Sequence, residues 1–190
     1  MLRASSRYKG ETMASGDSLY VWTAHADEPP STNFAEFNTR NGHFLLEFSD
    51  TVAQAAIFRG VMARNYAGGG VTVRLGWMAA SETLRDALGN PIITPLTAGS
   101  VKWNGQFERH QAATDDLDTD SFAAAQTTTA AAPATAGTLA YSDIAFTNGA
   151  QMDSIAVGEG FRLNVTRDAA DVADTMAGVA QLVTVELRET

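Results

Sequence analysis

Gly160-Phe-Arg-Leu-Asn-Val-Thr-Arg-Asp168 and, beyond an acidic connector of small residues, Ala180-Gln-Leu-Val-Thr-Val-Glu-Leu-Arg-Glu189 decide the fold of this chain. In the first run Phe161, Leu163 and Val165 alternate with Arg162, Asn164 and Thr166; in the second Val183, Val185 and Leu187 alternate with Thr184, Glu186 and Arg188. Successive side chains on a strand point to opposite faces, so each run has one apolar and one wet face. Half-buried strands of this kind predict an antiparallel β-sandwich that ends in a strand.

The same period recurs upstream. Val71, Val73, Leu75 and Trp77 share one parity, as do Val101, Trp103 and Phe107, and Ala140, Ile144 and Phe146. Strands over 34–39 and 43–48 flank Arg40-Asn-Gly42, where Asn-Gly supplies the positive φ angles of a tight hairpin. Ser49-Asp50-Thr51 before Val52-Ala-Gln-Ala-Ala56 reads as a capped helical turn leading into a strand over 57–62, and 81–88 as a helix stopped by Gly89-Asn90-Pro91. The Ala/Thr-rich stretch 123–136 reads as a thin strand. Eight or more strands with one or two short helices predict an all-β fold: a single jelly-roll-like antiparallel β-sandwich over 17–190, preceded by an extended N-terminal arm over 1–16. No regular ten-residue amphipathic helices separate the strands, which disfavours an α/β fold.

The 190 residues, 45% hydrophobic and 18% charged, suit one domain with a sizeable core. No apolar run approaches the roughly 18 residues of a membrane span, so no membrane partner is expected. A formal charge of −9 and pI near 4.7 weigh against binding nucleic acid, which needs clustered Lys and Arg, and favour a basic surface or a neutral protein partner. With no cysteine, stability must come from packing or assembly. Arg3, Arg7 and Lys9 precede no hydrophobic core, so the N-terminus does not read as a secretory signal; Met13 reads as an alternative start.

Chemistry-bearing patterns are sparse. Asp116, Asp118 and Asp120 have the spacing that opens a calcium loop, but Ser121 and Thr127 stand where such a loop needs Gly and Glu, so a solvated acidic turn is expected. Gly68-Gly-Gly70 is followed by a strand and no Gly-Lys-Ser/Thr, so it reads as a turn and not a phosphate cradle. His25, His43 and His110 are scattered, no Gly-x-Ser-x-Gly elbow is present, and Asn164-Val-Thr166 is a sequon inside an expected strand. Trp77 and Trp103 share parity with core residues, whereas Trp22 and Tyr66 are left as candidate exposed aromatics for stacking on a sugar. No catalytic residue, cofactor or metal site is expected.

Asn33-Phe-Ala, Arg40-Asn-Gly42, Phe58-Arg-Gly60, Asn65-Tyr-Ala-Gly-Gly-Gly-Val71, Val101-Lys-Trp103, Asp118-x-Asp-Ser-Phe122 and Asp174-Thr-Met-Ala-Gly178, in that order, resemble a family of virion proteins of tailed bacteriophages, over about residues 17 to 189. The resemblance implies a structural protein of the particle, foremost a decoration (cement) protein. Such a protein would be assembled in the host cytoplasm and sit on the capsid surface, with the major capsid protein and its own copies, as a homotrimer or a dimer, for partners. The alternative is a head- or tail-associated fibre or receptor (glycan)-binding β-sandwich module. The capsid or oligomer interface expected combines the arm residues Arg3, Arg7 and Lys9 with the loops carrying Glu28, Pro29 and Pro30 and Tyr66 and Gly69.

Overall fold

The computed structural model describes residues 14–80 and 99–190 throughout, with the backbone of 83–85 and 91–93 between them. The expected arm with Arg3, Arg7 and Lys9 lies outside the described residues. Twelve strands are described: β1 (Ser18–Thr23), β2 (Glu36–Arg40), β3 (His43–Phe48), β4 (Gln54–Val61), β5 (Val71–Ala79), β6 (Thr83–Arg85), β7 (Pro91–Ile93), β8 (Ser100–His110), β9 (Gln126–Ala131), β10 (Ala140–Phe146), β11 (Gly160–Arg167) and β12 (Ala180–Glu189). One sheet runs β10-β5-β12-β3-β2, with β1 also paired to β12; the other runs β4-β11-β8-β9, and β6 pairs with β7 apart from both. All strand pairs are antiparallel. The two large sheets enclose one core, so the all-β, jelly-roll-like sandwich read from the sequence is the fold.

The two runs that decided the fold hold central places. β11 lies between β4 and β8, and β12 between β5 on one side and β3 and β1 on the other. Phe161, Leu163 and Val165 are buried against Trp77, Trp103, Phe107 and the other inner residues. Trp103 sits edge-on between Phe48 and Trp77, at 5.1 and 5.8 Å between ring centroids.

Four expectations need correction. Val52 to Ala56 is not a helical turn: β4 begins at Gln54 because Ala56, Phe58 and the residues around them are drawn into the ladder with β11. Thr83–Arg85 is extended and pairs with β7, not helical. The only helical elements among the described residues are single 3₁₀ turns, at Ala24–Ala26 and Ala150–Met152. In β12 a bulge between Leu182 and Thr184 shifts the register, so Leu182 enters the core and Val183, expected inside, does not. The bulge falls where β12 changes neighbour from β3 to β1.

The connector between β11 and β12 is held by a buried ion pair. The Arg167 guanidinium, wholly buried, donates to both Asp174 carboxylate oxygens at 3.0 and 2.7 Å and to the carbonyls of Met176, Gly178 and Phe48. Asp174 also accepts from the Lys102 N–H at 3.1 Å, and Asp50 from the Gly178 N–H. The acidic phrase ending in Gly178 is thus a clip that returns the chain from one sheet to the centre of the other.

Candidate functional site

The outer face of the larger sheet collects the most organised set of exposed polar and aromatic groups. Antiparallel register aligns its outward residues in rows. Tyr141, Gly76, Thr184 and Thr23 form one row, Asp143, Arg74, Glu186 and Val21 the next, and Thr72, Arg188 and Ser18 stand in a third. Tyr141 is 56% exposed. It packs beside Gly76, where a Cβ would stand 3.2 Å from a ring carbon and 2.5 Å from Thr184 Oγ1, so a larger residue there would displace the ring or Thr184.

Charged side chains surround the ring, with the Arg74 guanidinium over it. Arg74 Cζ sits 4.7 Å from the Tyr141 ring centroid, and its Nε is 3.3 Å from Asp143. Arg188 Nη2 donates to Asp143 at 3.3 Å, Arg188 Nε lies 4.0 Å from Glu186, and Ser18 donates to Glu186. These pairs are partly exposed and contribute little stability; neither Arg74 Nε nor Arg188 Nε makes a hydrogen bond, and the Arg188–Asp143 and Ser18–Glu186 hydrogen bonds tie β12 to β10 and β1 beside the Tyr141 ring. Further along the face Arg40 donates to Gln181 at 2.8 Å and Gln181 to Glu47 at 2.7 Å, lining a polar groove of about 340 Å³ with Asn38.

A second exposed patch lies at the edge of the same sheet. His25, Phe37 and Phe44 cluster with centroid separations of 4.1 to 5.5 Å, and Phe37 and Phe44 are about half exposed. Beside them His25, Asp27, Pro29 and Phe34 line a groove of about 330 Å³. Asp27 accepts the Ile57 N–H at 2.9 Å and joins this loop to β4. Partial burial, and to a lesser degree the nearby Glu28, raises its pKa from 3.8 to about 6 against the lowering effect of that hydrogen bond.

A carboxyl that binds its proton more tightly in the folded state than in the unfolded state favours folding at low pH. Asp27 therefore makes a stabilising contribution that is present below about pH 4 and lost as pH rises through about 6. Asn keeps the oxygen that accepts the Ile57 N–H, so Asp27→Asn is expected to raise stability at pH 8 by about 1 kcal/mol, with partial solvent exposure discounting the full shift. Urea unfolding at pH 4 and pH 8 checks this: the difference between variant and wild type should grow with pH, and equal differences would contradict it.

Glu28 is exposed and pairs with Arg59 at 2.8 Å, and Pro29 lines the edge groove with Pro30 next to it. Tyr66 is buried, its hydroxyl turned to the Gly69 carbonyl and to Met152 Sδ at 3.7 Å, so it is not the exposed aromatic expected. Trp22 is buried too, stacked on Tyr20 and donating to the Arg59 carbonyl, because its parity on β1 faces Phe58 and Phe161. Asp116, Asp118 and Asp120 do not converge. Asp116 accepts the Asp118 N–H within its own turn, while Asp120 pairs with Arg162 at 2.6 Å. Among the described residues no group of three His, Asp or Glu is placed to hold a metal ion, and no helix is long and apolar enough to cross a membrane. The sequence reading missed Tyr141, Arg74 and Asp143; the signal was available, since Tyr141 and Asp143 occupy the parity opposite Ile144 and Phe146.

No family model matches the chain, and no curated protein matches it. Solved structures do. The xylan-binding domain CBM22-2 of Xyn10C from Paenibacillus barcinonensis is similar over 91% of this chain and 100% of its own, with 14% identity and a TM-score of 0.50. The carbohydrate-binding module CBM6cm-2 of lichenase 5A from Cellvibrio mixtus, in complex with cellotriose, aligns over 92% of this chain and 99% of its own, with 9% identity and a TM-score of 0.43. At 14% identity the first likeness shows the fold alone, an antiparallel jelly-roll-like β-sandwich.

Proposed function

We propose that this chain is a non-enzymatic recognition module that binds glycans on the outer face of its larger sheet, in the setting of a phage head or tail that its sequence phrases suggest. The observation that carries the reading is exposed Tyr141 packed beside Gly76, with the Arg74 guanidinium over its ring and the Arg188–Asp143 and Ser18–Glu186 hydrogen bonds alongside. A sugar offers an apolar face to an aromatic ring and hydroxyls to rigid planar donors and acceptors, and this surface supplies both. A fold shared with a xylan-binding domain supports the reading. Affinity electrophoresis through gels containing soluble xylan or mixed-linkage β-glucan tests it. Retardation by at least one polysaccharide is expected, weakened about tenfold in Tyr141→Ala and unchanged in Phe37→Ala. Equal retardation of wild type and Tyr141→Ala would overturn it.

A capsid decoration role is the second reading. It is supported by the order of the phage-like phrases and by the apolar edge at Phe34, Phe37 and Phe44, which suits contact with protein more than with sugar. A decoration protein would be present in high, fixed copy number on the particle and a receptor-binding module in low copy number, so counting copies per virion separates the two.

A further inference from the structure

We infer that the groove lined by Asp27, Phe34 and Phe37 binds a quaternary ammonium head group, with the Asp27 carboxylate as its counter-charge and the two rings as its walls. This site lies apart from the outer face around Tyr141 and does not depend on glycan binding.

The groove follows from the unequal width of the sheets. Phe37 stands across the ladder from the buried Leu46, and Phe44 shares the parity of Leu46 and Phe48, so Phe37 and Phe44 face the inner side of the larger sheet. They are nevertheless about half exposed, because the smaller sheet ends at β4. The β1–β2 loop covers them in part, with His25 edge-on to both rings, and the groove of about 330 Å³ opens beside it.

Asp27 brings a lone charge to this apolar strip. Its Oδ1 accepts the Ile57 N–H at 2.9 Å; among the described residues Oδ2 has no hydrogen-bond partner and the carboxylate has no ion pair. Arg59, on the facing strand β4, is taken by Glu28 at 2.8 Å, and Glu28 itself repels the Asp27 charge. A pKa raised to about 6 is the mark of a half-buried carboxylate without a cation, and it leaves Asp27 ionised at neutral pH.

These features select the ligand. A cation complements the unpaired carboxylate, and aromatic rings attract cations to their faces. Asp27 Oδ2 is a single acceptor among Phe34, Phe37, Pro29 and alanines. A primary ammonium would turn some of its three donors toward carbon, whereas a trimethylammonium carries no donor and buries its methyl groups against the rings.

Amide NMR titration of the full chain with choline at neutral pH and constant ionic strength tests the proposal. Saturable shifts at Ala24, His25, Asp27 and Phe37 are expected, with ethanolamine binding more weakly than choline. Asp27→Asn, which keeps an acceptor for the Ile57 N–H, and Phe37→Ala should weaken choline binding about tenfold and about threefold, while Tyr141→Ala leaves it unchanged. Wild-type affinity should fall about tenfold from about pH 7 to about pH 5 as Asp27 takes up its proton. His25 and Glu28 are the other titratable groups at the groove, and His25→Gln should retain that fall. Circular dichroism reports the fold of every variant. Uptake of the protein by phosphatidylcholine vesicles marks a head group displayed on a lipid surface, and binding of soluble choline alone marks a free ligand; either supports the site. The absence of saturable choline shifts, ethanolamine binding as tightly as choline, or choline binding indifferent to Asp27→Asn would overturn the proposal.

Discussion

Asp174→Ala is expected to lower the unfolding free energy by about 3–5 kcal/mol, because it leaves the Arg167 guanidinium buried without its counter-charge. The two side chains are 0% and 1% exposed, so no solvent stands ready to replace the lost partner. Removing both charges in Arg167→Met/Asp174→Leu should recover only part of the loss. A simple buried pair can be exchanged for apolar residues at little cost, but Arg167 also satisfies the carbonyls of Phe48, Met176 and Gly178, which the double variant would orphan. Urea unfolding of the three proteins provides the measurement. A cost below about 1 kcal/mol for Asp174→Ala would show that the connector is not held by this pair. The effect bears on function because the clip seats β12, which supplies Thr184, Glu186 and Arg188 to the outer face.

Truncating Trp103 to alanine should cost a comparable amount, about 3–5 kcal/mol, since it empties the junction of Phe48 and Trp77 between the sheets. The milder change to phenylalanine distinguishes the two buried tryptophans. The Trp77 indole N–H donates to the buried Ser142 hydroxyl at 2.7 Å, while the Trp103 N–H has no partner among the described residues. Trp77→Phe gives up a hydrogen bond and strands a hydroxyl; Trp103→Phe sheds an unsatisfied donor. Trp77→Phe is therefore expected to be less stable than Trp103→Phe by about 1 kcal/mol in chemical denaturation, and the reverse order would contradict the assignment.

The fold was legible in the sequence wherever a strand has one wet face. β5, β8, β10 and β11 lie where alternation placed them, and Trp77 and Trp103 are in the core as their parity required. What failed depends on partners distant in sequence. Val52 to Ala56 has local helical character, yet β4 takes up these residues because the β11 edge needs a strand there. The shift of Val183 arises from the exchange of neighbours along β12, which no local pattern records.

The candidate site was less legible for the same reason. Arg74, Tyr141 and Glu186 belong to three strands far apart in sequence, and only the register makes them neighbours. Trp22 and Tyr66, the aromatics expected to be exposed, are buried, as large rings adjoining a core more often are. Gly76 reads as an ordinary strand glycine in sequence, and only the β5–β10 register brings the Tyr141 ring to it.

Sugar binding is proposed for the outer face around Tyr141. Titration of the isotope-labelled protein with oligosaccharides of the retained polysaccharide, followed by amide NMR shifts, tests it most directly. Perturbations centred on Arg74, Gly76, Tyr141 and Thr184 are expected; shifts confined to His25, Phe37 and Phe44, or no saturable shifts with any glycan, would contradict it.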